Sequence, residues 1–228
     1  SCAYYTKTRQ YISTKYKILH IIECREPYIE TKQDTICMII QNTKGSNQSF
    51  MLHNTILGEP TNIRTLQSLY KDSTTLEKLG FKVYVGTVVW NQCKDILTSD
   101  CSKTRLIYSS DIQNNQFVMK TYKNPDKKNY IDKPGHRKPL LVLNRGYGTG
   151  SYSFDYCIID GGFEYLVENH LICIQYTKEI DDRELILLYN KIIQSWKHDK
   201  TRMFIQLYIG NHAMNTKELA TVLPIYDI

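Results

Sequence analysis

KILHIIEC, residues 17–24, and TICMIIQN, residues 35–42, are the two stretches whose reading decides the fold. Both are short and nearly apolar throughout, the pattern of strands covered on both faces, as in the sheet of an α/β domain. Upstream, YYTKTRQYISTKY (4–16) spaces Tyr4, Tyr5, Tyr11, Ile12 and Tyr16 among Lys, Arg and Thr, which predicts an amphipathic helix. Helix, strand, loop, strand is a piece of an α/β sheet too short to stand alone. The chain opens Ser1-Cys2-Ala3 with no initiator Met, and this reads as a piece of something longer.

After the polar loop Thr43–Ser49 the texture changes. Short β-rich runs appear at 81–90, 105–110, 116–120, 140–146, 154–159 and 170–176, separated by loops of Asn, Gly, Ser, Pro and Lys. Helices are predicted at 62–70, 74–79, 182–197 and near 201–209, with a last short one at 216–222 whose N-cap would be Thr216. The reading is therefore an α/β fragment over residues 1–50 followed by a mixed α+β domain over 51–228, with no internal repeat.

The 228 residues admit one large domain, or one domain and part of another, and exclude a multidomain machine. The net charge of +6, with a pI near 8.8, permits a polyanionic partner without requiring one. The excess is uneven: Lys123, Lys127, Lys128, Lys133, Arg137 and Lys138 face only Asp126 and Asp132 between 123 and 138. The 7 cysteines form no C-x-x-C pair, so a zinc ribbon or a secreted disulfide framework is not expected, and most read as small buried hydrophobes in a reducing compartment. No apolar stretch approaches a membrane span and no signal-peptide pattern opens the chain. A soluble, cytoplasmic protein is expected.

Several enzyme signatures fail on inspection. Gly146-Tyr147-Gly148-Thr149-Gly150 follows a strand-like run, but what comes next reads as another strand, and no Lys-Ser/Thr follows, so a turn between strands accounts for it better than a phosphate cradle. Glu30-Thr31-Lys32 matches half of a nuclease signature whose upstream Asp is missing. The histidines show no metal-ligand spacing, and His170 reads as a structural hydrogen bond at a strand entrance. No serine lies in a G-x-S-x-G elbow. The case for nucleic acid is better. Tyr122, Lys123, Lys127, Lys128 and Tyr130, then His136, Arg137 and Lys138, then Asn144, Arg145 and Tyr147, interleave cations with aromatics and amides. Cations supply the counterion-release term, while Asn, Gln and Arg read base edges.

Specific strings carry a resemblance. SCAYYTKTRQYISTKYKILHIIEC and PYIETKQDTICMIIQN resemble the last part of the catalytic domain of gamma-type N6-adenine DNA methyltransferases, the enzymes of type II restriction–modification systems with relatives in large DNA viruses. The strings LGFKVYVGTVVWNQCKDIL, TRLIYSSDI, KPLLVLNRGYGTGSYSFDYCII, EYLVENHLICI and NTKELATVLPIY are similar, in this order, to the target-recognition domain that follows. The resemblance implies that 1–50 ends a Rossmann-like methyltransferase sheet and that 51–228 recognises double-stranded DNA. It also implies a methyl donor, S-adenosyl-L-methionine, and the Asn-Pro-Pro-Tyr loop that holds the flipped adenine. Neither element is found in these residues, so this segment alone is expected to be inactive.

By position, the resemblance implies base stacking for Tyr28, with Ile29 as the competing alignment and a core role open for either. Gly86, Thr87, Asn91 and Gln92 form one expected DNA-reading cluster, with Trp90 beside them read as core. Lys94, Asn144, Arg145, Tyr147, Thr149 and Ser151 form a second. Lys127, Lys128, Arg137 and Lys138 are expected phosphate contacts, which position without specifying. A cognate restriction endonuclease would act in the same system. The alternative reading is a stand-alone DNA-specificity subunit serving a separate catalytic chain, and a third is a degenerate remnant without activity.

Overall fold

The computed structural model describes residues 5–24, 35–53, 55–145, 154–208 and 214–228. Helix α1 (Thr6–Lys15) leads into strands β1 (Lys17–Cys24) and β2 (Thr35–Gln41), which pair antiparallel as a two-stranded sheet with a bulge between Ile18 and His20. The expected cover on both faces is not met among the described residues. On β1 only Ile18 and Ile21 are buried, whereas Leu19, Ile22, Ile36, Ile39 and Ile40 are exposed. No side chain of α1 is fully buried either: Ile12 is half-buried and Tyr11 exposed. Asn47, in the loop read as a polar spacer, is instead a buried clasp: its amide donates to the carbonyls of Ser13 and Tyr16 and its Oδ1 accepts from Ile18 N–H, each at 2.8 Å.

The remainder is mixed α and β in several small sheets. Helix α2 (Pro60–Leu69) begins with proline at its first position, where a missing N–H costs nothing. The expected helix at 74–79 is a short strand and a single turn instead. Ser73–Thr74 pairs with Ile225–Tyr226, and Gly80, at φ +91°, redirects the chain before a second helical turn can form. The central sheet has four antiparallel strands in the order β8 (Tyr156–Ile159), β7 (Leu140–Asn144), β10 (Leu171–Tyr176) and β3 (Phe81–Val85). A second sheet runs β9 (Tyr165–Val167), β5 (Thr104–Ile107), β6 (Tyr130–Ile131) and β4 (Leu97–Thr98), with β9 parallel to β5 and the other pairs antiparallel.

Alternation along the central strands places two cores. Leu141, Leu143, Ile172 and Ile174 face α2, α3 (Asp182–Lys197), α4 (Asp199–Tyr208) and α5 (Thr216–Thr221). Leu140, Val142, Leu171 and Cys173 face the other way, onto Ile107, Tyr165 and Val167 of the second sheet. A third cluster of Val88, Leu106, Tyr108, Ile131 and Leu166 lies on the far side of that second sheet, covered by loops carrying Trp90, Cys93 and Tyr122. The layers are thus helices, sheet, sheet, loops. Helix α5 is capped by Asn215, not Thr216; its side chain accepts from Glu218 N–H while the Glu218 carboxylate returns to the Asn215 N–H. Of the described cysteines only Cys157 and Cys173 are buried, their thiol pKa values pushed up to about 12 by desolvation, while Cys24, Cys37 and Cys101 are exposed. No helix among the described residues is long and apolar enough to cross a membrane.

Candidate nucleic-acid interface

Two sequence-remote groups meet at one end of the central sheet. Asn144, the last residue of β7, stands opposite Leu171 at the start of β10, and on the other side of Leu171 its carbonyl accepts from Gly86 N–H at 2.9 Å. Asn144–Arg145 and Gly86–Thr87 therefore lie two strand spacings apart, about 10 Å. Gly86 is a packing glycine: a Cβ there would stand 2.1 Å from the Glu168 carbonyl oxygen and 2.5 Å from that of Val167, where no side chain fits. Its close approach carries exposed Thr87 across the strand entrance, and the crossing is fixed by Val88 N–H to Val167 O at 3.1 Å and Asn169 N–H to Val88 O at 2.9 Å. The exposed Arg145 donates to the Asn169 carbonyl at 3.3 Å. Beyond Val88 a single 3₁₀ turn, Trp90–Gln92, buries part of the indole against the third cluster and leaves Asn91 and Gln92 exposed.

Beneath this surface lies a buried polar network. Asp111, fully buried, pairs with the Arg105 guanidinium at 3.4 Å and accepts from Tyr108 N–H at 3.0 Å and from the Tyr122 hydroxyl at 2.8 Å. Glu168, also buried, accepts from Ser109 N–H at 3.1 Å and holds His170 Nδ1 at 3.0 Å. Buried charges persist only where partners replace water, and here Asp111 has a guanidinium and an N–H while Glu168 has an imidazole and an N–H. Tyr108 and Tyr122 have hydroxyl pKa values raised well above the ordinary phenol range, chiefly by burial.

Lys127 occupies an aromatic cage. Its Nζ lies 4.1 Å from the Tyr108 ring centre, 4.2 Å from that of Tyr122 and 5.9 Å from that of Trp90. Desolvation pushes its pKa below the usual lysine value, and the charges of Glu168 and Asp111 pull it partly back. Nearby, the Tyr108 hydroxyl donates to the Lys128 carbonyl at 2.7 Å, and Lys94 pairs with Asp126 at 2.7 Å. These contacts tie the loop at 120–128 to the Trp90–Lys94 turn.

Other expected contacts lie elsewhere. Arg137 and Lys138 precede β7 and sit at its opposite end from Arg145, paired with Glu164 at 3.1 Å and Asp182 at 2.9 Å. Five residues of strand, about 17 Å, separate the two ends. Arg137 borders a cleft of about 680 Å³ with Lys103, Lys133, Phe117 and Phe163. The structure thus brings together Gly86, Thr87, Asn144 and Arg145, places Asn91, Gln92, Lys94, Lys127 and Lys128 along the adjoining loops, and sets Arg137 and Lys138 apart. Tyr28, Tyr147, Thr149 and Ser151 lie outside the described residues. No group of His, Cys, Asp or Glu able to hold a metal ion occurs among the described residues.

Sequence reasoning missed Arg105, Asp111 and Glu168. The signal was a charge inside or beside an apolar run, in TRLIYSSD and YLVEN, where a solvated side chain breaks the strand pattern. Compared with protein-family models and with curated proteins, the chain matches none.

Proposed function

We propose that this chain is the DNA-recognition part of a site-specific adenine-N6 DNA methyltransferase, carrying also the end of its catalytic sheet. The observation that carries the DNA reading is the convergence of exposed Thr87 and Arg145 with half-buried Asn144 at one end of the central sheet, flanked by exposed Asn91 and Gln92. Amides and guanidinium groups on rigid strand ends are suited to bidentate readout of base edges, and the neighbouring lysine-bearing loop supplies the polyanion term.

The hairpin of β1 and β2 favours the enzyme over a stand-alone specificity subunit. Its exposed isoleucines call for a covering layer, and an α/β catalytic sheet supplies one; a subunit that only reads DNA has no use for such a hairpin. The methyl donor does not fit the residues at hand. The glycine turn from strand to helix at Gly58, between Ile56–Leu57 and α2, commits its N–H to the Phe50 carbonyl at 3.1 Å and opens the helix with Pro60, which has no N–H to offer a nucleoside; under this reading the donor belongs to a catalytic part outside these residues. Under this reading the chain grips and addresses the duplex while methyl transfer occurs elsewhere in the full-length protein.

The test is binding to a duplex selected from a random-sequence pool, compared with bulk competitor DNA. Arg145→Ala weakens selected over competitor duplex by ~1–3 kcal/mol, while Lys128→Ala weakens both alike. Equal losses from the two substitutions contradict the division of roles, and no duplex affinity at low ionic strength removes the DNA reading itself.

A further inference from the structure

His170 was expected to make a structural hydrogen bond, and it does, but the bond runs in an unusual direction. The carboxylate is buried and the imidazole is exposed: the side chains are 3% and 61% accessible, with Nδ1 3.0 Å from Glu168 Oε1. A histidine whose task is to satisfy a buried acid would be drawn in with it. Here the acid is held from below, by Ser109 N–H at 3.1 Å and by Glu168's own backbone N–H on the Ile107 carbonyl at 2.9 Å, so the rigid partner is the carboxylate and the oriented one is the ring.

An ionised carboxylate only accepts, so Nδ1 is the nitrogen that carries the proton towards it. Nε2 is then turned outward at the entrance of β10. The neighbouring carbonyl, that of Asn169, receives the Arg145 guanidinium at 3.3 Å, so two nitrogen-rich side chains are anchored on consecutive residues of one turn. Thr87 is exposed on the other side of that turn. The charged groups behind it, Glu168, Asp111, Arg105 and Lys127, balance one another within the buried network. Arg145 and the imidazole are exposed nitrogen-bearing groups at this turn.

We propose that His170 is a phosphodiester contact of the duplex-binding surface, its imidazole aimed by the buried Glu168 carboxylate beside Arg145. The proposal rests on the DNA-recognition reading and adds to it a residue and a division of labour: His170 with its Nε2–H on the backbone, Arg145 towards a base edge. Glu168 is a positioning residue, since it reaches the duplex only through the ring.

The experiment measures the affinity of the whole chain for a short mixed-sequence duplex as a function of salt, at mildly acidic pH, which favours the charged form of any imidazole. His170→Ala lowers affinity about 3- to 10-fold at low salt and reduces the slope of log affinity against log salt by up to ~0.9, the loss of one phosphate contact. His170→Lys keeps the slope, because the cation is retained. Glu168→Gln reduces the slope less than His170→Ala and adds nothing to it in the double variant, since both act through one ring. Unchanged affinity and slope in His170→Ala overturn the proposal while leaving the DNA reading intact. So does a loss confined to one base pair of a selected site without a change of slope, which would make the ring a base reader. Failure of the unsubstituted chain to bind any duplex overturns both.

Discussion

The β1–β2 hairpin and the central sheet are written in the same alphabet and meet opposite fates. KILHIIEC has two of its eight residues buried, whereas LLVLN, which forms β7, has four of five and LICIQY, which forms β10, four of six. Apolar runs of this kind declare that a strand needs cover; they do not declare that the cover lies in the same chain. Around β7 and β10 it is supplied by helices on one face and the second sheet on the other. Among the described residues α1, the Asn47 loop and the start of α2 approach the hairpin, and they engage it mainly through hydrogen bonds, the last by Glu59 accepting from Glu23 N–H and Asn62 donating to the Glu23 carboxylate.

The contrast can be broken most sharply with thiol chemistry. Cys24 and Cys37 on the hairpin react with an alkylating reagent in the native protein, while Cys157 and Cys173 wait for the sheets to open, a difference of at least ~10³ in rate for a domain of ordinary stability. Comparable rates, read by mass spectrometry of the labelled peptides, would mean either that the sheets are loose or that a second copy covers the hairpin. A smaller effect follows in stability. Asp111→Ala leaves the Arg105 guanidinium buried and unpaired, and lowers unfolding free energy by ~3–5 kcal/mol in a urea titration, with Cys24 and Cys37 labelling unaltered. The least effect belongs to the cage. Lys127→Ala removes a partly desolvated ammonium from three rings and costs ~1–2 kcal/mol, confined to the loops over the third cluster and visible as faster amide exchange at 120–128. No change in exchange there would leave Lys127 as the simple phosphate contact its sequence position first suggests.

Much of the architecture was legible because it rests on local rules. The period of Leu185, Leu188, Ile192, Ile193 and Trp196 marks α3, and its span was read to the residue because Asp181 caps its start and Lys197 favours its end. The helix expected at 74–79 failed because a single turn ending in a left-handed glycine satisfies the same short pattern. Most cysteines are expected to be buried hydrophobes, yet among those described Cys24, Cys37 and Cys101 are exposed and Cys93 half-exposed, since sequence shows a cysteine's size and not its surroundings. At the candidate site, Asn144 and Arg145 stood out for their chemistry and Gly86 for its missing side chain. Their meeting across β10 was invisible, because it depends on a register between strands nearly sixty residues apart in the chain, β3 and β7.

By itself the sequence determined where the strands of the central sheet and the longer helices run, which stretches demand burial, and which residue types could grip a polyanion; Leu97–Thr98, Tyr130–Ile131 and Tyr165–Val167 of the second sheet are too short to show a period. Those properties belong to segments of a few turns, where spacing and capping act within hydrogen-bond reach along the chain. Only the tertiary structure decided that the described residues leave the hairpin largely uncovered, that Lys127 turns inward onto aromatic rings, that Glu168 is buried beneath an exposed imidazole, and that Arg137 and Arg145 stand at opposite ends of one strand. Those are outcomes of strand pairing and layer stacking, in which each residue's neighbours are chosen by distant segments and desolvation acts on the assembled whole.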